Sequence, residues 1–178
     1  MATAFKLISS YRTTGTEANL TLGSIPATYT DLLIVYNGRA SVVSVLVANT
    51  YNNDVGSTHY FNRMLQSNPY FGATPYGMTV ANSTSSFNTY QSYSSMSANV
   101  YGGGQVYIPG YRVAQPKSPI TDTGHSSAAN GSPANDNWIQ IGGALYNVST
   151  AISSIKLVPD SASFLIHSTI YLYGITNA

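Results

Sequence analysis

Short apolar runs that alternate with polar residues recur along this chain about every 8 to 15 residues, separated by clusters of Gly, Pro, Asn and Ser. An alternation of period two places successive side chains on opposite faces of a strand, whereas an amphipathic helix needs a period near 3.6. Residues 19–25 show the pattern, because Leu20 and Leu22 alternate with polar residues until Pro26 ends the run. The spacing predicts an all-β fold, an antiparallel β-sandwich of about nine or ten strands.

The residue types available agree with strands rather than helices. The chain contains one Glu and three Lys, which are good helix formers, but 24 Ser, 18 Thr and 15 Asn, together with 15 Tyr. Thr and Tyr favour strands, whereas Ser and Asn favour turns and the solvent side of strands. No segment of the sequence predicts a convincing helix.

The low content of charged residues excludes several classes of protein. Lys and Arg number seven and Asp and Glu six among 178 residues, whereas an average domain of this length has roughly 45 charged residues. Seven scattered cations cannot form a basic face for nucleic acid. Apolar residues make up 43% of the chain, enough for a core, which excludes a charge-rich disordered chain. No apolar run approaches the length of a membrane-spanning helix, so an integral membrane protein is not expected. The chain has no cysteine, so disulfides and thiolate-bound metals are excluded.

The order of the runs predicts one domain, residues 1–178, with long loops at 49–100 and 124–137. Residues 29–39 predict a central strand covered on both faces, because their middle is apolar at every position. Strands are also predicted at 42–47, near 59–66 and 77–81, and at 163–173. In the last of these, Phe164, Ile166, Ile170 and Leu172 share one face and His167 lies on the other.

Several aromatic residues in the long middle segment are candidates for partner or glycan contacts. Tyr beside Asn, Ser and Gly is typical of adaptable binding surfaces, because Tyr provides contact area at a low entropic cost. The alternative is that these rings are buried between the subunits of an oligomer. The candidates are Tyr51, Tyr60, Tyr70, Phe71, Tyr76, Tyr90 and Tyr93.

Two motifs superficially resemble catalytic sequences. Asp122-Thr123-Gly124 occurs in aspartic proteases, but here it occurs once, within a polar loop. Gly124-His125-Ser126-Ser127-Ala128 lacks both the final glycine and the helix of a nucleophile elbow. The three histidines lie far apart, without the spacing of metal ligands. We therefore predict no enzyme, no catalytic residue, no metal site and no cofactor.

Two further polar motifs are interpreted as turns. Residues 52–56, Asn-Asn-Asp-Val-Gly, lack the distal Glu of a calcium loop and predict a hairpin turn. Gly102-Gly103-Gly104 is not followed by the helix that a phosphate-binding loop requires, and predicts a flexible turn.

Three stretches together resemble small virion proteins of tailed bacteriophages, notably those that infect cyanobacteria. They are SIPATYTDLLIVY at 24–36, VYIPGY at 106–111, and residues 152–175, which end in IYLYGI. The resemblance implies a jelly-roll-like sandwich on the virion exterior, in the form of a homotrimer, as a head decoration (cement) protein or as part of a tail fibre. Segments 49–100 and 124–137 carry none of the resemblance.

The function expected from this resemblance is non-enzymatic. A fibre normally carries a shaft or repeats, whereas this sequence predicts one domain, so a self-standing decoration protein that stabilises the capsid is favoured. Its partners would be the major capsid protein or other virion proteins, with no nucleic acid and no membrane insertion. The alternative is a tail-fibre or receptor-binding module that recognises host surface glycans. In either case the protein is expected on the virion, on the exterior of the capsid or of the tail. An enzyme built on Asp122 or Ser126 is a third, more distant alternative.

Overall fold

The computed structural model describes residues 4–41, 46–56, 58–67, 76–81, 87–90, 100–125 and 138–176. These ranges contain strands, turns and loops but no helix, and accordingly no helix long and apolar enough to cross a membrane. The strands are β1 (Ala4–Arg12), β2 (Leu20–Leu22), β3 (Asp31–Gly38), β4 (Leu46–Tyr51), β5 (Tyr60–Ser67), β6 (Tyr76–Ala81), β7 (Phe87–Tyr90), β8 (Gly102–Ile108), β9 (Ile120–His125), β10 (Trp138–Tyr146), β11 (Ile155–Pro159) and β12 (Thr169–Thr176).

The strands form two antiparallel sheets. The large sheet has eight strands in the order β1-β12-β3-β8-β9-β10-β5-β6, and the small sheet has four in the order β2-β11-β4-β7. The predicted all-β antiparallel sandwich is confirmed, whereas its jelly-roll connectivity is not. The described strands number twelve rather than nine or ten. A strand as short as β7, with four residues, leaves little alternation to detect.

The apolar core lies between the two sheets. Leu20, Leu22 and Ile155 of the small sheet are buried against Leu32 and Ile34 of the large one. The alternation predicted for residues 19–25 is therefore correct, with Leu20 and Leu22 inside and Thr21 exposed. The inner face of the large sheet is the face that packs on the small sheet, and the outer face is the opposite one.

Strand β3 is central in the large sheet but is not covered on both faces. It lies between β12 and β8, and Leu32 and Ile34 of its inner face are fully buried. Leu33 and Val35 of its outer face remain partly exposed. No described element packs over the outer face at these residues, so the predicted covering of both faces is not found in the described part of the chain.

The strand predicted at 163–173 begins later than expected. Strand β12 starts at Thr169, and His167 adopts a left-handed backbone conformation with φ of 71°, which ends the extended run before it. Ile166 is consequently exposed at 45%, not on the core face, and His167 lies in the turn, where its Nδ1 accepts a hydrogen bond from Arg12 Nη2 at 2.9 Å. The predicted burial of Phe164, Ile170 and Leu172 is correct.

Glycines expected in turns lie within strands. Gly102, Gly103 and Gly104 begin β8, and a Cβ on Gly104 would approach Thr123 Cγ2 to 2.7 Å. Glycine there permits close packing rather than flexibility. Asp122, Thr123 and Gly124 belong to β9, not to a loop. Residues 42–45 and 126–137, including Ser126, lie outside the described residues, so the predictions there are untested.

Candidate interaction surface

The strand registers show which residues lie on the outer face of the large sheet. Directly opposed residues of antiparallel strands point to the same side of a sheet, so the registers define rows that cross it. One row runs from β1 to β5 through Leu7, Tyr173, Leu33, Tyr107, Ile120, Gly143 and Arg63. The next row runs through Ser10, Tyr171, Val35, Gln105, Asp122, Ile141 and Leu65.

Apolar side chains dominate both rows and remain open to solvent. Ile139, Ile141 and Ile120 are 61%, 54% and 54% exposed, although each lies within a strand of a regular sheet. Of the twelve large exposed hydrophobic residues in the described part of the chain, eight lie on the outer face. They are Phe5, Leu7, Phe61, Leu65, Ile120, Ile139, Ile141 and Tyr171. Exposed apolar residues that collect on one face in this way are typical of interaction surfaces.

Strand β10 shows most directly that this exposure is a property of the fold. Its polar residue Gln140 is fully buried on the inner face, where the side-chain amide contacts the sulfur of Met64. Its isoleucines at 139 and 141 point outwards. A one-residue slip in register would reverse this arrangement, but the pairing of β10 with β5 and β9 fixes the isoleucines on the outer face.

Small residues keep part of the outer face flat. Gly143 lies between Ile120 and Arg63 in its row, and a Cβ added to it would meet no atom within 4 Å. Gly103 and Gly124 are directly opposed in β8 and β9, on the same face. A partner can therefore approach the backbone closely along these strands.

Few charges interrupt the outer face. The side chains of Asp122 and Arg63 are exposed and form no hydrogen bond or ion pair with another described residue. Asp31 is buried, and its carboxylate accepts hydrogen bonds of 2.8 Å from Tyr107 Oη and from the Gly110 amide. Burial, reinforced by the hydrogen bond and the negative charge of Asp31, raises the pKa of Tyr107 to about 12, so Tyr107 is uncharged at neutral pH.

A shallow groove crosses the outer face near its centre. It has a volume of about 280 Å³ and is lined by Phe5, Leu33, Gln105, Tyr107, Ile120, Asp122 and Ile175. Typical small-molecule sites are more enclosed and larger. The groove is therefore better suited to a side chain from a packed protein surface than to a free small ligand.

Two of the tyrosines predicted as contacts are buried instead. Tyr51 and Tyr60 are 0% and 1% exposed and pack with Tyr146, with ring centroids 5.2 and 4.9 Å from its own. Both are corrected from surface contacts to core residues, because the turn after β4 folds this segment between the sheets. Tyr76 and Tyr90 lie in β6 and β7, but the structure describes only the strands at these positions and not the side chains. Tyr70, Phe71 and Tyr93 lie outside the described residues.

A carboxylate anchors this tyrosine cluster. Asp54 Oδ2 accepts hydrogen bonds from His59 Nδ1 at 2.7 Å and Tyr146 Oη at 2.9 Å, and its Oδ1 accepts one from the Gly56 amide. Burial alone would raise the pKa of Asp54. The hydrogen bonds from Gly56, His59 and Tyr146, together with the charge of His59, lower it by more, so the pKa of Asp54 lies below its ordinary value.

The surrounding turn explains why these residues meet. Asn52 and Asn53 both have φ of 55°, and the Asp54 amide donates to the Tyr51 carbonyl, which makes a tight turn. The predicted turn at 52–56 is thus found, although it joins the two sheets instead of forming a hairpin. No group of three metal-ligating side chains occurs in the described part of the chain.

The structure offers no support for the protease-like motif. Asp122 lies in the middle of a regular strand, and its cross-strand neighbours are Gln105 and Ile141, not a second carboxylate. Two carboxylates that share a proton need to be in direct contact. The exposed position of Asp122 within an apolar face suits a role in surface pairing better.

Comparisons with protein-family models, with curated proteins and with solved structures found no match to this chain. The function proposed below therefore rests on the surfaces described above and on the residues that carry the sequence resemblance.

Sequence reasoning missed the outer face. Ile139 and Ile141 alternate with Gln140, a pattern that normally places isoleucine inside and glutamine outside. The available signal was that apolar residues occupy both the odd and the even positions of the central strands, and therefore both of their faces. It was interpreted in β3 as burial on both sides, when one side is solvent-exposed in the described chain.

Proposed function

We propose that this chain is a non-enzymatic structural protein of a phage virion, a capsid decoration protein that binds the outer head surface and stabilises the shell. The observation that carries the proposal is the outer face of the large sheet, which is apolar, nearly uncharged and exposed across the strands from β1 to β5. Exposing such a face in an isolated protein is unfavourable, and burying it in an assembly is favourable. The location on a phage head comes from the resemblance of residues 24–36, 106–111 and 152–175.

The physical properties of the face suit a crowded lattice. The chain carries a net charge of +1, so neighbouring copies repel one another only weakly. Contacts made of apolar and neutral polar side chains depend little on salt. Binding that occurs only in the assembled state stabilises that state by mass action.

The experiment compares phage heads with and without this chain. Heads that lack it should release DNA at a lower temperature than complete heads, and added purified protein should restore the difference. Electron microscopy should place the restored protein on the head. Unchanged heat resistance, or protein found on the tail alone, would contradict the decoration role.

One observation favours a second candidate, a tail-fibre or receptor-binding module that recognises host glycans. Tyr171 and Tyr173 present stacked rings on the outer face, with centroids 6.5 Å apart and planes at 27°. Aromatic surfaces with a polar end suit amphipathic ligands such as sugars. A glycan array tests it: specific binding that Tyr171→Ala abolishes would support recognition over decoration, and an array without hits would remove this candidate.

A further inference from the structure

We propose that the groove on the outer face receives an arginine side chain of the head surface, and that Asp122 and Gln105 accept the hydrogen bonds of its guanidinium group. The inference rests on the proposed decoration role and names the chemistry of that contact. It follows from the lining of the groove, the position of the two acceptors, and the unpaired state of Asp122 within the described chain.

The groove is apolar along its length and charged at one end. Its apolar surface comes from Phe5, Leu33, Ile120 and Ile175. Among the described residues that line the groove, Asp122 alone is charged. Ile120 and Asp122 are two residues apart on β9, a distance of about 6.6 Å. An arginine side chain has a matching composition, with an apolar stem that ends in a cation. The stem can lie on Ile120 while the guanidinium group reaches Asp122.

Two hydrogen-bond acceptors lie side by side at the charged end. Gln105 on β8 and Asp122 on β9 are directly opposed, and both are exposed. Opposed residues of antiparallel strands have Cβ atoms about 4.5 to 5.5 Å apart, so the amide oxygen and the carboxylate can act together. A guanidinium group has its N–H donors in a planar fork, whereas the ammonium group of lysine is a compact, strongly hydrated charge. The pair of acceptors therefore favours arginine over lysine.

A second hollow leaves room for the guanidinium group. It has a volume of about 270 Å³ and shares Gln105 and Asp122 with the groove. Gly103 and Gly124, which are directly opposed in β8 and β9, also line it. Backbone without side chains therefore lies beside the two acceptors, and a planar group can approach it closely.

Asp122 needs a partner once another surface covers this face. Its side chain forms no hydrogen bond or ion pair with another described residue. Solvent stabilises the charge in the free protein, because the side chain is exposed. A covering surface removes that solvent, and a buried carboxylate without a cation is strongly unfavourable. A head surface that presents an arginine here therefore binds more tightly than a neutral or acidic one.

The arginines of the chain itself are less well placed to pair with this carboxylate. Arg63 lies on β5, and β10 with its exposed Ile141 lies between that strand and Asp122. Arg12 lies on β1, four strand spacings from β9, and donates to His167 Nδ1 at 2.9 Å. Asp122 is thus left for a cation of the partner.

The test is cosedimentation of variants of the full chain with heads that lack this protein. Asp122→Asn should weaken binding at least about tenfold, and Asp122→Glu should retain most of it. Asp160→Asn is the matched control and should bind as the wild type does. Asp160 is also exposed, it lies in the turn after β11 of the small sheet, and its replacement changes the net charge equally.

The outcomes separate this site from the decoration role. Wild-type affinity of Asp122→Asn would overturn the arginine site, while binding of the wild-type chain to heads would still support decoration. A wild-type chain that does not bind heads would contradict the decoration role, and the arginine site with it.

Chemical modification of the heads identifies the cation. Phenylglyoxal modifies arginine, and acetic anhydride modifies lysine. On heads treated with phenylglyoxal, the wild type and Asp122→Asn should bind equally weakly, whereas on acetylated heads the difference between them should remain. A difference that acetylation alone removes would assign the cation to lysine and overturn the proposal.

A mutant cycle tests whether Arg63 is the partner instead. Asp122→Asn should weaken binding by the same factor in an Arg63→Gln background as in the wild type, because the two side chains do not pair. An effect of Asp122→Asn that disappears in that background would assign the partner to Arg63 and overturn the proposal.

Discussion

The two faces of the large sheet are built from the same strands but have opposite surroundings. On the inner face, Ile34 and Leu172 are fully buried against the small sheet. On the outer face, Val35 and Tyr171, one residue away along the same strands, remain partly exposed. Both sets are large and apolar. Apolar content therefore does not identify the core of this protein; the second layer does, and the described chain supplies that layer on one side.

The apolar residues of the two faces are buried in different processes, those of the inner face on folding and those of the outer face on assembly. Burial of a large aliphatic side chain contributes about 1.5 to 3 kcal/mol, and the inner face obtains this contribution when the chain folds. The outer face obtains it only when another surface covers it. Substitutions on the inner face should therefore change the stability of the monomer, and equivalent substitutions on the outer face should change association.

The largest effect is expected from the inner face. Ile34→Ala removes a fully buried side chain from the centre of the core and should lower the free energy of unfolding by about 2 to 5 kcal/mol. Urea denaturation of a dilute sample measures it. Val35→Ala, on the outer face of the same strand, is the matched control and should cost clearly less. Equal losses for the two would mean that both faces are covered within the chain.

A smaller effect is expected at the carboxylate that joins the sheets. Because the folded-state pKa of Asp54 is lowered, its stabilising contribution is present above the unfolded pKa of about 4 and is lost as the pH falls through the folded value. Asp54→Asn should lower the free energy of unfolding at pH 7 by about 1 to 3 kcal/mol and flatten its decline below pH 4. Denaturation curves from pH 2 to pH 7 measure both, and an unchanged acid limb in the variant would contradict the role of Asp54.

The smallest effect on folding is expected from the outer face. Ile141→Ser replaces a side chain that is 54% exposed, and the free energy of unfolding should change by about 0.5 kcal/mol or less. The same variant should weaken binding of the chain to the assembled particle, measured by cosedimentation with heads that lack it. A loss of stability comparable to that of Ile34→Ala at monomer concentrations would refute the distinction between the two faces.

The sequence predicted the class of the fold but not which face needed a partner. Leu20 and Leu22 were assigned correctly, because their strand is polar at the intervening position and has a single apolar side. In β10 the same rule fails, since Gln140 points inwards and the isoleucines outwards. The alternation of residue types in a strand indicates that its two faces differ. Which of the two faces is covered depends on how the strand pairs with strands distant in the sequence.

The tyrosines illustrate a second limit. Tyr51 and Tyr60 were assigned to a surface because the segment around them is rich in Asn, Ser and Gly. Those polar residues instead build the turn that carries both rings into the interior, where the Tyr60 hydroxyl donates to the Asp54 carbonyl at 3.1 Å. The contact of Asp54 with Tyr146 links positions 92 residues apart, and local composition contains no signal for it.

The central claim, that the outer face is covered in the assembled state, can be measured by thiol labelling. The chain has no cysteine, so Ile141→Cys and Gly15→Cys each introduce a single reactive site without background. In the dilute isolated protein both should react with a maleimide. In the assembled particle the cysteine at position 141 should be protected and that at position 15 should still react. Equal labelling of position 141 in the free and assembled forms would contradict the account.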